Sequence, residues 1–291
     1  MFKLALENED LFNRLSKHSI LGRFVVFRID CLTNLRDQDL ASRLYQEIYT
    51  SDGTSKQTAP GRFRDLDLLT ADLLTHESNL IHDVAVSSGI TSVELYSALR
   101  HRDIPFELLV SDKFSRFLYR GSIVRRIYDV NNTLLFAYVL WILADWKCGW
   151  KFPISKMLFP LVKASDKPSA PFGEIPLFDF RLLELIRKGH VTELPYDILS
   201  TSLPDRFTFV RCMNVLNLSY FKPDAIRRAL SLLKTSLKDQ GILLLGRTMP
   251  DGANAVSFYR KVSGNLELIR ELDGGSEISH LIDSTNRIGN K

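Results

Sequence analysis

Little in this chain points to metal, disulfide or membrane chemistry. It has only three cysteines, Cys31, Cys148 and Cys212, with no CxxC pair and no Cys/His spacing that would ligate a metal. No disulfide framework of a secreted domain can be built from them, which fits a reducing compartment. The stretch Met1 to Asp10 lacks the basic start and apolar core of a secretory signal. The longest uncharged apolar stretch, Thr133 to Ala144, stops at Asp145, short of the roughly 20 residues a membrane-spanning helix needs. A strong charge of either sign is also missing. The formal net charge is +4, too small by itself to argue for nucleic acid. The expectation is a cytoplasmic protein with no transmembrane segment, no metal and no nucleic-acid partner.

Glycine is scarce where it is most telling. Ile81-His82-Asp83-Val84-Ala85-Val86-Ser87-Ser88-Gly89-Ile90 reads as a buried strand breaking into a turn of small residues that opens an amphipathic helix. A second apolar run, Phe106 to Ser111, ends at Asp112. A strand, a small-residue turn, a helix and a strand tipped by a carboxylate suit a nucleoside-containing cofactor in an open α/β sheet. The turn has one glycine where a dinucleotide fingerprint has three. The missing second glycine, which would let a pyrophosphate reach the helix N-terminus, argues against a nicotinamide dehydrogenase.

What is present is ordinary globular material, 45% hydrophobic and 25% charged. Residues 1–79 read as a helical N-terminal extension, with apolar residues at helical spacing over Leu4–Leu15 and Leu35–Tyr49. Phe24 to Ile29 is ambiguous between strand and helix. Residues 51–61 are a loop by composition, and a helix runs from Asp65 to Leu74. From 80 to 291 the pattern is α/β. Strand 80–86, helix 91–101 and strand 106–111 are followed by a hairpin of 124–129 with 134–142 across Asn131-Asn132. A helix at 179–188, strands at 190–193 and 207–211, and a helix from Pro223 to Leu237 come next. After Gly241 lies the most apolar strand, Ile242 to Leu245, and then a hairpin pairing 254–262 with 266–272. Residues 119–186 form an insertion between the second and third core strands, far longer than an ordinary loop.

Two further stretches carry a family likeness. Arg211-Cys212-Met213-Asn214-Val215-Leu216-Asn217 places an Asn-Val-Leu run after a strand, and Lys238-Asp239-Gln240-Gly241-Ile242-Leu243-Leu244-Leu245-Gly246 opens a strand on glycine. With 80–112, the segment 190–272 resembles the class I S-adenosyl-methionine-dependent methyltransferases. The resemblance implies an open, mostly parallel seven-stranded Rossmann-like sheet with an antiparallel C-terminal hairpin, and S-adenosyl-L-methionine as cofactor. The family's loop pattern is Asp/Glu-x-Gly-x-Gly-x-Gly. Asp83 matches its acid and Gly89 its last glycine, while Ala85 and Ser87 stand in place of the others and Ser88 lies between.

The resemblance further implies that Asp112, followed by Lys113, holds the ribose hydroxyls. Asp197 would take the adenine amine, with Ile198 against the ring, and Asn214 would face the methionine side or the acceptor. Each has a plainer alternative. The turn could be an ordinary βα connection, Asp112 or Asn214 a helix cap, and Asp197 a surface charge. The run Lys113 to Arg126 carries Lys113, Arg116, Arg120, Arg125 and Arg126 without an acid. It reads as a solvated face or as a seat for an anionic substrate. The apolar run 152–162 is a lid, a substrate wall or the buried floor of the insertion.

No catalytic acid or base announces itself, and methyl transfer to a nucleophilic group needs mainly proximity and alignment. The leading reading is methyl transfer to a small-molecule acceptor in a pocket covered by the insertion and the N-terminal helices, with homo-oligomerisation left open. The others are a cofactor-binding relative without turnover, serving in regulation or as a scaffold, and a protein methyltransferase.

Overall fold

The run Ile242 to Leu245 is buried on both faces, as an interior strand of a sheet must be. Each leucine side chain so buried contributes about 1.5–3 kcal/mol. The computed structural model describes residues 4–37, 40–41, 44–45, 48, 50, 56, 58–74, 77–145 and 173–282. The chain divides into two units, one of Met1–Thr58 with Phe114–Phe180, the other of Ala59–Lys113 with Arg181–Lys291.

The first unit holds strands β1 (Leu4–Leu6), β2 (Val25–Phe27), β5 (Arg116–Arg120), β6 (Val124–Tyr128), β7 (Leu134–Val139), β8 (Ile142–Asp145) and β9 (Gly173–Pro176), with helix α1 (Glu9–Ser16). They form one sheet in the order β2-β1-β8-β7-β6-β5-β9, antiparallel except for β1 with β2. The helix expected over Leu4–Leu15 therefore starts only at Glu9, where Asn8 caps it by accepting the Leu11 N–H at 2.8 Å. Leu4 to Leu6 instead pairs with Val25 to Phe27. Three-residue runs are too short for periodicity to separate the two states, and pairing decides. Farther on, Leu40, Leu44 and Ile48 are all buried, as their spacing implies. The hairpin across Asn131-Asn132 is present. Asn132 takes φ 58°, and Asp129 accepts the Asn131 and Thr133 N–H groups. The apolar run 152–162 lies outside the described residues.

The second unit contains helix α2 (Arg64–Leu73), β3 (Asn79–Val84), α3 (Ile90–His101), β4 (Phe106–Ser111), α4 (Phe180–Arg187, from Arg181 on), β10 (Val191–Glu193), β11 (Phe207–Met213), α5 (Pro223–Ser236), β12 (Leu237–Thr248), β13 (Asn254–Val262) and β14 (Asn265–Leu272). Its sheet runs β10-β4-β3-β11-β12-β13-β14. The first five strands are parallel and the last two antiparallel. Pro223 opens α5, where its missing N–H costs nothing. Among the described residues, no helix is long and apolar enough to cross a membrane.

In chain order this is the doubly wound arrangement 3-2-1-4-5, whose order reverses between β3 and β11. Ligands of such sheets lie outside the carboxyl ends of the strands at that reversal. The turn 85–89, Asp112 and Asn214 all follow strands that end there.

Candidate functional site at the carboxyl edge of the second sheet

β3 ends at Val84, and the chain then alternates. Ala85 has φ 58°, Ser87 φ 59° and Gly89 φ 76°, all left-handed. Only glycine adopts that region freely, and an L side chain there costs roughly 1–2 kcal/mol. Ala85 and Ser87 thus keep a glycine-type backbone although each carries a Cβ. Gly89 is needed twice over. A Cβ there would lie 2.0 Å from Cδ2 of Leu182, itself fully buried on α4. The turn is closed by the Val86 N–H donating to the Ser111 carbonyl at 3.0 Å and the Gly89 N–H to the Val86 carbonyl at 2.8 Å. Ser88 is buried within it.

Asp112 follows β4. Its Oδ2 accepts the Ser87 N–H at 2.7 Å, which fastens the carboxylate to the turn. Lys113 is exposed beside it. The structure thus brings Asp112 together with Ala85, Ser87, Ser88 and Gly89.

Asp83 is directed elsewhere. It is buried, with Oδ1 accepting Arg211 Nε at 2.9 Å and Oδ2 accepting Arg211 Nη2 at 2.5 Å and Ser92 Oγ at 2.6 Å. Arg211 Nη1 also donates to Asp67 Oδ1 at 2.6 Å, and Nη2 to the Thr91 carbonyl at 3.0 Å. Its guanidinium lies 5.4 Å from the centre of the Phe63 ring. Burial first, then repulsion from Asp83 and Glu94, pushes the Asp67 carboxyl up to about 7 despite the pull of Arg211. The Arg211 guanidinium is held above its ordinary value, because Asp83 and Asp67 outweigh its burial.

The remaining candidates serve their own neighbourhoods. Asp197 is exposed. Its carboxylate accepts the Leu199 N–H and the Ser200 hydroxyl, each at 2.9 Å, which makes it the knot of its own turn. Ile198 is buried in the core with Tyr196. Asn214 takes φ 61°. Its Oδ1 accepts the Thr248 N–H at 2.7 Å, and its Nδ2 donates to Thr248 Oγ1 at 3.4 Å. It laces the ends of β11 and β12 rather than capping a helix. Leu218 and Tyr220, which follow β11, and Met249, which follows β12, are exposed, at 46%, 62% and 38%.

The basic run is mostly internal to the first unit. Arg116 pairs with Glu174 at 2.9 Å, Arg125 pairs with Asp30 and lies over the Tyr119 ring, and Arg126 is buried. Among the described residues, no group of three His, Cys, Asp or Glu side chains could hold a metal ion.

Arg211, Asp67 and Ser92 were not singled out in the sequence. The signal is an arginine inside the mostly apolar run Phe207 to Met213, since a buried charge requires a partner.

The parallel strands, the turn after the first of them and the closing antiparallel hairpin give this unit a Rossmann-type α/β architecture. No family model matches the sequence, and no curated protein matches it. Among solved structures it is similar to the CMeT domain of the citrinin polyketide synthase, at 12% identity over 59% of this chain and a TM-score of 0.29. The chain spans 29% of that structure. It is also similar to a Pyrococcus horikoshii OT3 protein, at 11% identity over 78% of this chain and 79% of the other, with a TM-score of 0.36. A SAM-dependent methyltransferase from Aquifex aeolicus gives 12% identity over 64% of this chain and 66% of the other, with a TM-score of 0.33.

Proposed function

We propose that the carboxyl edge of the second unit binds S-adenosyl-methionine and that the protein transfers its methyl group to a small-molecule acceptor. The observation that carries this reading is the turn itself. Left-handed backbone recurs at Ala85, Ser87 and Gly89, with the Asp112 carboxylate fastened to the Ser87 N–H. The small side chains at these positions let a ligand approach the backbone closely. The fit to such a cofactor lies in the donors and acceptors present. Small residues line the turn, and a carboxylate beside it suits a ribose diol. The residues that would hold the cofactor are Ala85, Ser87, Ser88 and Gly89 along the turn, with Asp112 and Lys113 at its lip.

In this reading Asp83 supports the turn from beneath through Arg211 and Ser92. Asp197 and Ile198 border the adenine end, and Asn214 holds the β11 and β12 ends that border the acceptor. The exposed Leu218, Tyr220 and Met249 supply apolar surface on that side. The chemistry such a cofactor supplies is an electrophilic methyl group, so the chain's task is placement and exclusion of water.

Calorimetry with adenosyl-homocysteine tests the reading. Binding in the micromolar range is expected, and folded protein that binds nothing at high micromolar ligand overturns it. An Asp112→Ala variant is expected to bind about tenfold more weakly or worse, the loss of a charge-assisted hydrogen bond. Unchanged affinity rejects the ribose assignment.

A second reading, a cofactor-binding protein without turnover, is favoured by one observation. Asp197 and Asn214 both spend their side chains on local backbone and neighbouring strands. Methyl transfer from labelled cofactor to any acceptor in cell extract decides against it.

A further inference from the structure

We infer that Arg211 is a positioning residue for the turn 85–89, a buried clasp that ties the strand entering the turn to the helix leaving it. The inference rests on the proposed cofactor site and concerns what shapes it. On the entry side the guanidinium makes two bonds to Asp83, two residues before Ala85. On the exit side it donates to the Thr91 carbonyl, two residues after Gly89. Ser92 adds a second tie by donating to the same Asp83 carboxylate. Asp67 of α2 and the Phe63 ring hold the guanidinium from beneath. Both ends of the turn are therefore fixed to one planar group that is 1% exposed.

Three considerations make this more than core packing. Buried ion pairs are commonly replaceable by apolar side chains without loss of stability, so stability alone does not call for an arginine between two aspartates here. The turn it closes holds two non-glycine residues in left-handed backbone, a conformation that persists only when its surroundings over-determine it. The bond geometry also demands a fork. One guanidinium reaches Asp83 twice, Asp67 and a carbonyl, which a lysine ammonium cannot reproduce.

Two variants of the full chain test the clasp, Ser92→Ala and Arg211→Lys, each read by hydrogen exchange without ligand and by adenosyl-homocysteine calorimetry. For Ser92→Ala, amides of residues 85–92 are expected to exchange about fivefold faster, with β11 and β12 unchanged, and the dissociation constant to rise by about the same factor. Arg211→Lys is expected to give about tenfold or more in both, with no rescue by the retained charge. Should Arg211→Lys not fold, Ser92→Ala carries the test.

Loop exchange that stays within about twofold of the parent, or that rises equally throughout the unit, overturns the clasp. So does a dissociation constant unchanged in a variant whose loop exchanges faster. A parent protein that binds no adenosyl-homocysteine defeats the cofactor reading instead, while the exchange data still decide whether Arg211 shapes the turn.

Discussion

Two consecutive residues of β3, His82 and Asp83, are both buried, yet their surroundings have little in common. Strand alternation sends them to opposite faces of the sheet. On the Asp83 face, α2 and α3 cover a cluster of ions in which Arg211 bridges Asp83 and Asp67. On the His82 face the imidazole sits among rings, 4.8 Å from the centroids of both Tyr196 and Phe207. Its Nε2 lies 2.8 Å from Ser111 Oγ. One face packs its ionisable groups against one another in pairs. The other discards charge, since burial lowers the His82 pKa to about 4 and keeps the ring neutral. The same strand thus shows both ways of burying a polar side chain, and they respond differently to perturbation.

The largest expected effect breaks the ionic face. Arg211→Met leaves two buried carboxylates without their counter-charge and is expected to destabilise by about 3–5 kcal/mol in urea unfolding. Adding Asp83→Leu and Asp67→Leu is expected to restore most of that loss, because the cost lies in the orphaned charges rather than in missing attraction. A triple variant no more stable than Arg211→Met alone contradicts this account of the face.

The next effect uses pH, and the two faces carry opposite signs. Asp67, raised from 3.8 to about 7, keeps a proton in the folded state that the unfolded chain releases. Its contribution is complete below pH 3.8 and is lost as pH rises through 7. His82, lowered from 6.5 to about 4, refuses a proton that the unfolded chain takes up. Its contribution is complete above pH 6.5 and is lost as pH falls toward 4. Each slope is at most about 1.4 kcal/mol per pH unit. Between these limits the two oppose each other, so each single variant unmasks the other face. Asp67→Asn is expected to make stability rise with pH from 4 to 6.5, and His82→Leu to make it fall over the same range. Urea midpoints at several pH values measure both, and parallel slopes in the two variants sink the comparison.

This contrast also marks how far the sequence could be read. Residues 80–112 and 207–272 are legible because buried parallel strands form continuous apolar runs, punctuated by Gly89 and Pro223. The turn and Asp112 were legible for the same reason, since a strand's end shows in composition. The first unit was not. β1 and β2 are three residues each, and their sheet is completed by strands from 116 onward, a pairing that local pattern cannot reveal. Within the site, the acid at 83 stood out but its partner did not. Which carboxylates approach Arg211 depends on how α2 crosses the sheet, and a single sequence carries no trace of that. Asp197 and Asn214 are ambiguous in sequence because Asp and Asn after strands serve ligands and turns alike.

The smallest effect sharpens the aromatic face. Among the described residues, His82 Nδ1 is buried without a hydrogen-bond partner. A bare acceptor is tolerated better than a bare donor, so the proton belongs on Nε2, which donates to Ser111 Oγ. Ser111→Ala leaves that N–H with nothing to bond and is expected to cost about 1–3 kcal/mol. The imidazole cannot escape by moving its proton, because Nδ1 would then become the orphaned donor. His82→Phe combined with Ser111→Ala removes both partners from an already aromatic setting and is expected to cost less than Ser111→Ala alone. The parent, Ser111→Ala, His82→Phe and the double variant form a double-mutant cycle whose coupling energy is about 1 kcal/mol. A coupling of zero means that the His82 N–H finds another acceptor, and the neutral, ring-packed face is then not held by Ser111.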